Sequence, residues 1–376
     1  MSFNSELGHN PSIAVIGGGL VGPATGLFLE SAGFTDVQVY EASPANQEVS
    51  GGAFGVTAAT ADKLEQLKVT RTEIATSPTT ETKICTVGPD GGIISSETKD
   101  FGSIQTTWDV AHKAFAGKIA IQYKKQAARI ADNGRSATVF FSDGSKTETD
   151  LVICADGRNS LGRQTFNPGQ SQYRGYVVWR GLTESPSPTP DCLTQFQNTK
   201  EGVLFVGDPI TQGMHEGLTD WTLYQKLSAM EFEDLMGIPP NKRYYIRAER
   251  ITPNAKDAMN NYARERFPGY LADMIESTGA VALVPMLEVP MPRQAIWRIG
   301  RLGRVILLSD ALAPLPPNTG QGFNNGIRQA KSLVEALSVG KDAALKEWEG
   351  GVVRQVAHWV RKGRERAQAI GLQALV

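Results

Sequence analysis

Between Ser12 and Glu41 the chain reads as strand, glycine-rich turn, helix and second strand, an order that few folds accept. Ser12-Ile13-Ala14-Val15-Ile16 is a short apolar run of the kind buried in a parallel sheet. Gly17-Gly18-Gly19-Leu20-Val21-Gly22 follows and contains GxGxxG. Ala24 to Ala32 carries helical patterning, and Gly33 stands where a helix C-terminus favours glycine. Val37-Gln38-Val39-Tyr40 forms the second strand, and Glu41 ends it. The glycines have separate tasks in this setting. Gly17 permits the tight turn, Gly19 lets backbone approach a pyrophosphate, and Gly22 lets the helix pack on the strand. With Leu20 and Val21 between them they form a phosphate-binding turn, offered to the ligand by a helix N-terminus. The Glu41 carboxylate, about 20 residues on, can accept bonds from ribose hydroxyls. A glycine-rich turn without a ligand is the plainer reading. Strand, helix and terminal acid together favour dinucleotide binding. The motif does not separate NAD from FAD.

At 376 residues the chain is long enough for two domains, or for one large domain with an inserted partner. Lys+Arg is 38 against Asp+Glu 39, a net charge of -1. That balance recommends neither nucleic acid nor an anionic membrane as partner. The three cysteines, Cys85, Cys154 and Cys192, lack the spacing of a zinc site or a dithiol motif. The four histidines, His9, His112, His215 and His358, are scattered as well. No metal and no disulfide framework is expected, and a reducing compartment fits. Met1 to Pro11 lacks the charged and apolar regions of a secretory signal. No apolar stretch reaches the roughly 20 residues needed to cross a bilayer. A cytoplasmic protein is expected. Oligomeric state is open, a homodimer included.

Further along, Ile119 to Tyr123, Ala137 to Ser142 and Leu151 to Cys154 read as strands, with Asn133-Gly134 and Asp143-Gly144 as turns. Tyr173 to Gln225 stays β-rich around a proline-rich surface loop at Ser185 to Pro190. Val305-Ile306-Leu307-Leu308 is another buried strand, and helical patterns run from about Asn325 to the end. The expected fold class is α/β. A Rossmann-like cofactor domain would be discontinuous, built from residues 1–75, 101–165 and 290–376. A β-rich substrate domain, residues 76–100 and 166–289, would be interleaved, and helices would close the chain.

Two more motifs follow predicted strands. Cys154-Ala155-Asp156-Gly157-Arg158-Asn159-Ser160 begins at the end of one strand. Ser309-Asp310-Ala311 follows another and leads into Pro314, Pro317, Gly320-Gln321-Gly322 and Asn324. Each alone reads as a turn. In this order, over nearly the whole chain, the three motifs resemble the para-hydroxybenzoate hydroxylase family of flavin monooxygenases. Tyr173-Arg174-Gly175-Tyr176-Val177-Val178-Trp179-Arg180-Gly181 is similar to the matching stretch of 2,6-dihydroxypyridine hydroxylase and its relatives.

The resemblance implies FAD as cofactor, NADPH or NADH as transient reductant, and molecular oxygen and a small aromatic molecule as substrates. It implies that Asp310 bonds the ribitol or its neighbouring phosphate region. Pro317 would lie near the reactive edge of the isoalloxazine. Gly320, Gln321 and Gly322 would present backbone N–H groups to its pyrimidine end, where reduced flavin carries negative charge. Asp156 and Gly157 would support the pyrophosphate and the approach of the nicotinamide. The implied activity is hydroxylation of an electron-rich aromatic or heteroaromatic ring through a flavin C4a-hydroperoxide. A dehydrogenase or reductase of the same fold is the alternative, and a flavin-binding protein without turnover is a third.

The sequence also departs from the family. Ser309 replaces a usual Gly, Ala313 a frequent His, Gln329 a common Asp, and Thr107 an Arg that touches flavin. These changes put flavin mobility and the nicotinamide-triggered cycle in question. Candidate substrate residues are Trp179, Arg180, His215 and Tyr224. Each has a plainer reading: core for Trp179 and Tyr224, ion pairing for Arg180, a loop for His215. No catalytic side chain is assigned. The C-terminal basic residues Arg354, Arg361, Lys362, Arg364 and Arg366 read as a solvated helix face rather than a membrane-surface helix.

Overall fold

The computed structural model describes residues 10–45, 52–77, 79–299 and 302–373. Of the N-terminal stretch considered above, residues 1–9 lie outside the described residues, as does His9. The fold is α/β, with two large sheets.

The first sheet holds the β-α-β unit. Strand Ile13–Ile16 lies between Val37–Tyr40 and Leu151–Cys154, parallel to both. Leu151–Cys154 in turn pairs in parallel with Leu302–Leu307. Ile13, Ala14, Val15 and Ile16 are all buried, as expected of a strand covered on both faces. Helix Val21–Ser31 and helix Gly322–Val339 pack together on this sheet. Ile121–Gln122 is the far edge, shorter than the expected Ile119 to Tyr123 run, and Ile119 instead packs into the core. A separate meander, Ala127–Asp132, Ala137–Phe141 and Lys146–Thr149, turns at the Asn-Gly and Asp-Gly pairs.

The second sheet has seven strands and draws on residues 81–100 and 172–288. Its long strand Gln172–Thr183 pairs with Thr219–Lys226 on one side and Val281–Glu288 on the other. Side chains alternate between faces along it. Val177, Trp179 and Phe205 go into an apolar core under helices Ala229–Met236, Pro253–Arg266 and Gly269–Ser277. Tyr176, Val178 and Tyr224 go to the opposite face, beneath the C-terminal helix Asp342–Ala369. The three helices were not expected from the sequence, although each carries apolar residues on one face, such as Phe232 and Met236, Met259 and Ala263, and Leu271 and Ile275. Two of their starts were nonetheless marked, by a Ser228–Glu231 capping box and by Thr252 ahead of Pro253 at the first helical turn.

The basic C-terminal helix is anchored rather than loose. Val352, Val356, Val360 and Ala367 form its buried stripe. Arg364 forms an ion pair with the buried Glu288 of the second sheet, 3.0 Å from Nε to Oε2. Among the described residues, no helix is long and apolar enough to cross a membrane.

One contact tests this packing. Trp221 is fully buried, and its indole N–H donates to Thr278 at 2.9 Å. A Cβ on Gly181 would sit 2.6 Å from the Trp221 ring. Gly181→Ala is expected to force the indole aside and cost about 1–3 kcal/mol, read from the shift in urea midpoint.

Candidate functional site

The three sequence motifs meet at one edge of the first sheet. Ile16 is level with Cys154, and Cys154 with Leu307. The turns that follow these residues therefore open side by side into a cleft of about 930 Å³. Gly17, Gly19, Leu20, Val21, Glu41, Asp156, Gly157, Asp310, Pro317, Gly320 and Gly322 all line it. Gly22 and Gln321 do not. Gly22 packs beneath the turn, and Gln321 is the N-cap residue of helix Gly322–Val339.

The glycine turn is built for close approach. Gly17 has φ +108°, which only glycine adopts without strain. A Cβ on Gly22 would lie 1.8 Å from the Gly17 carbonyl oxygen, so helix and strand meet there backbone to backbone. Gly19 faces open space. Glu41 steadies the turn, accepting from the Gly18 N–H at 2.6 Å and from the Ser43 N–H at 2.8 Å.

The second and third motifs are joined by a residue absent from the sequence-based candidates. Arg163 is 5% exposed. Its guanidinium donates to the carbonyls of Asp310 at 2.7 Å and Ala311 at 2.9 Å, and also to that of Arg158. Asp156 caps the helix that carries Arg163, Leu161–Phe166, by accepting from the Leu161 N–H at 2.8 Å. Its other oxygen is buried without a hydrogen-bond partner among the described residues, and burial pushes its pKa up against the bonds from Ser160 and Leu161. Burial also raises the Asp310 pKa, opposed by the Arg158 and Arg163 charges.

Ser309, where the family usually has Gly, has φ +55°. The left-handed backbone explains the usual glycine. Its N–H donates to Gln329, which is fully buried, at 2.7 Å. Ala313 is buried, so the frequent His position contributes no polar group here. Thr107 is buried at the start of helix Trp108–Ala116 and presents no cation. One turn on, His112 hydrogen-bonds the Gly18 carbonyl at 2.9 Å and stacks on Trp108, ring centroids 4.4 Å apart. The sequence offered Trp108 and His112 at helical spacing, without a sign that they face the glycine turn. Asn324 donates to the carbonyls of Gly55 at 2.8 Å and Gly320 at 3.1 Å, fixing the loop before its helix.

Of the substrate candidates, Arg180 and Tyr224 line the cleft from the second sheet. Trp179 does not. It points to the other face, fully buried, with its indole N–H on Gln225 at 2.8 Å. His215 lies in the loop before strand Thr219–Lys226, outside the cleft lining.

A match to the FAD binding domain family model spans residues 11–346. The chain belongs to that family. Among curated proteins, it is 24% identical to 6-hydroxynicotinate 3-monooxygenase of Pseudomonas fluorescens, over 97% of this chain and 96% of that protein. It is 23% identical to 2,6-dihydroxypyridine 3-monooxygenase of Paenarthrobacter nicotinovorans, over 95% and 91%. Among solved structures, 2,6-dihydroxypyridine-3-hydroxylase from Arthrobacter nicotinovorans superposes with TM-score 0.83 at 20% identity, covering 97% and 94%.

The residues present fit FAD. The open Gly19 backbone, the unpartnered Asp156 oxygen and a helix start without a side-chain cap at Gly322 all face, or adjoin, one cleft. Among the described residues no cluster of His, Cys, Asp and Glu is arranged to hold a metal.

Two outcomes follow for this family site. Arg163→Met strands three carbonyls and is expected to cost about 3 kcal/mol in urea unfolding, with weaker FAD retention. His112 provides a pH signature. Burial outweighs the Gly18 bond and the Glu41 charge, holding its pKa below 6.5. Below that value the unfolded chain binds a proton that the folded chain resists, so stability falls as pH drops. His112→Gln keeps a donor for Gly18 and should flatten that acid limb in melting curves taken between pH 5 and 8.

Proposed function

We propose that this chain is an FAD-dependent monooxygenase that hydroxylates an electron-rich aromatic or heteroaromatic small molecule, using NADPH or NADH and molecular oxygen. The observation that carries this reading is the placement of Arg180 and Tyr224 across the cleft from the Pro317–Gly322 loop, in a chain with full-length likeness to ring hydroxylases. Bound FAD supplies electron transfer from the nicotinamide and the activation of oxygen. The protein supplies position and dryness.

The roles divide by segment. Gly17, Gly19, Leu20, Val21 and Glu41 would hold the adenosine and pyrophosphate half, with Gly22 packed beneath the turn. Asp156, Gly157 and Asp310 hold the middle. Pro317, Gly320 and Gly322 would frame the ring, with Gln321 as the N-cap residue between them. Arg180 donates hydrogen bonds to a substrate acceptor. Tyr224 is buried, and burial outweighs the Arg366, Arg180 and Arg158 charges in raising its pKa. It is therefore a neutral phenol near pH 7, able to donate one hydrogen bond to the substrate ring.

The domain boundaries proposed are residues 1–75, 101–165 and 290–376 for the FAD unit, with 76–100 and 166–289 for the substrate unit. A reducing, cytoplasmic setting suits Cys85, Cys154 and Cys192, which are buried free thiols.

Purified protein is expected to be yellow and to oxidise NAD(P)H faster in the presence of a hydroxypyridine or phenol, with the oxygen atom of O2 appearing in the product. Substrate turnover under anaerobic conditions with an artificial acceptor, and no oxygenated product in air, contradicts this and assigns a dehydrogenase.

A further inference from the structure

Two aspartates on the cleft-facing side of the second sheet stand opposite each other with too few partners. Asp208 and Asp220 are cross-strand neighbours on Val203–Pro209 and Thr219–Lys226. Alternation along the strand puts Asp220 on the same face as Thr222 and Tyr224, which line the cleft. The two carboxyl groups are almost fully buried, Asp208 at 2% and Asp220 at 5% exposure. Asp220 is held. It accepts from the Ala53 backbone N–H and lies 3.4 Å from Arg180 Nη2. Asp208 is not. Neither of its oxygens has a hydrogen-bond partner among the described residues.

The surrounding charges are few. Arg180 reaches Asp220 from strand Gln172–Thr183. His215 acts on Asp220 from the preceding loop, with its own Nε2 buried and unpartnered. Asp109, at the start of helix Trp108–Ala116, accepts from the Met214 N–H of that loop. Asp208 is influenced by burial and by the Asp220 charge, and both push its pKa well above the carboxylate range. Asp220 is raised by burial and drawn back first by Arg180. Two carboxylates that share a dry site do not both ionise, and the one without a cation keeps the proton.

We infer that Asp208 and Asp220 share one proton, held on Asp208, and that ionised Asp220 cancels the Arg180 charge, making the substrate chamber select rings that carry no carboxylate. Asp208 is a positioning residue in this scheme. By staying neutral it spares Asp220 a like charge on the neighbouring strand, and Asp220 sets Arg180. The guanidinium is further confined by Gly52, where a Cβ would fall 1.5 Å from Nη2. Arg180 then serves a ligand as a hydrogen-bond donor, not as an unpaired cation. A ring carboxylate entering beside it meets a neutral trio and loses its hydration without a counter-charge.

The selectivity rests on the ring-hydroxylase reading, so the test includes an arm without ligand. Infrared difference spectra of the FAD-loaded protein, Asp208→Asn against wild type, are expected to show a protonated carboxyl stretch at pH 7 that shifts in deuterium oxide and is missing from the variant. No such band in wild type, or one that survives in Asp208→Asn, overturns the shared proton whatever the substrate. The second arm measures dissociation constants by flavin absorbance for 2-hydroxypyridine and 6-hydroxynicotinate, the same ring with one carboxylate. Wild type is expected to favour the plain ring. The double variant Asp208→Asn, Asp220→Asn leaves Arg180 uncompensated and should move the ratio toward the carboxylate by about tenfold, or 1.4 kcal/mol. An unchanged ratio overturns the selectivity. A holoprotein that shows the infrared band and responds to neither ring overturns the hydroxypyridine reading and the selectivity together, while the shared proton stands.

Discussion

Parallel pairing of three short strands is the constraint on which the rest depends. Ile16, Cys154 and Leu307 end their strands at one level. The next backbone bonds keep the ladder tight, from Ala155 N–H to the Ile16 carbonyl at 2.8 Å and from Leu308 N–H to the Cys154 carbonyl at 2.9 Å. Three turns distant in sequence thus open side by side at the carboxyl edge of the sheet. Open α/β sheets bind ligands at that edge because helices start there and leave N–H groups unpaired. Arg163 then bolts the second turn to the third through backbone carbonyls.

The parts of this site visible in the sequence were those with a local cause. Gly17 and Gly22 were readable because backbone geometry at those points admits no side chain. Glu41 was readable because it ends a strand at fixed spacing. Arg163 was not. Arginine is usually exposed, and the carbonyls that bury this one lie in a turn far along the chain. Trp179 and Arg180 were proposed together as substrate contacts, yet adjacent strand residues must face opposite sides. The sequence does not say which side meets the cleft. The structure turns Arg180 toward it and Trp179 into the core under the helices. Asp208 and Asp220 were invisible for a related reason. Each is an ordinary polar residue until strand register sets one against the other.

The departures from the family pattern also acquire physical meaning. Ser309 keeps the left-handed turn that glycine normally supplies, and Gln329 holds that turn by its backbone N–H. Thr107 and Ala313, both buried, supply neither the cation nor the imidazole that the family often has at those positions. The lysine and arginine that line the cleft, Lys125 and Arg180, each stand beside a carboxylate, Asp143 and Asp220. The electrostatics of the site are thus set by pairs, with few free ions.

The most direct measurement is a fluorescence titration of the apoprotein with FAD, repeated with one variant in each strand-end turn: Gly22→Ala, Asp156→Ala and Asp310→Ala. If three turns grip one molecule, wild type binds one FAD per chain and every variant weakens binding by about tenfold or more, or about 1.4 kcal/mol, since each aspartate variant removes a carboxylate and a Cβ on Gly22 forces the Gly17 turn aside. A wild-type protein that ignores FAD, or affinity unchanged by loss of any one turn, contradicts the account.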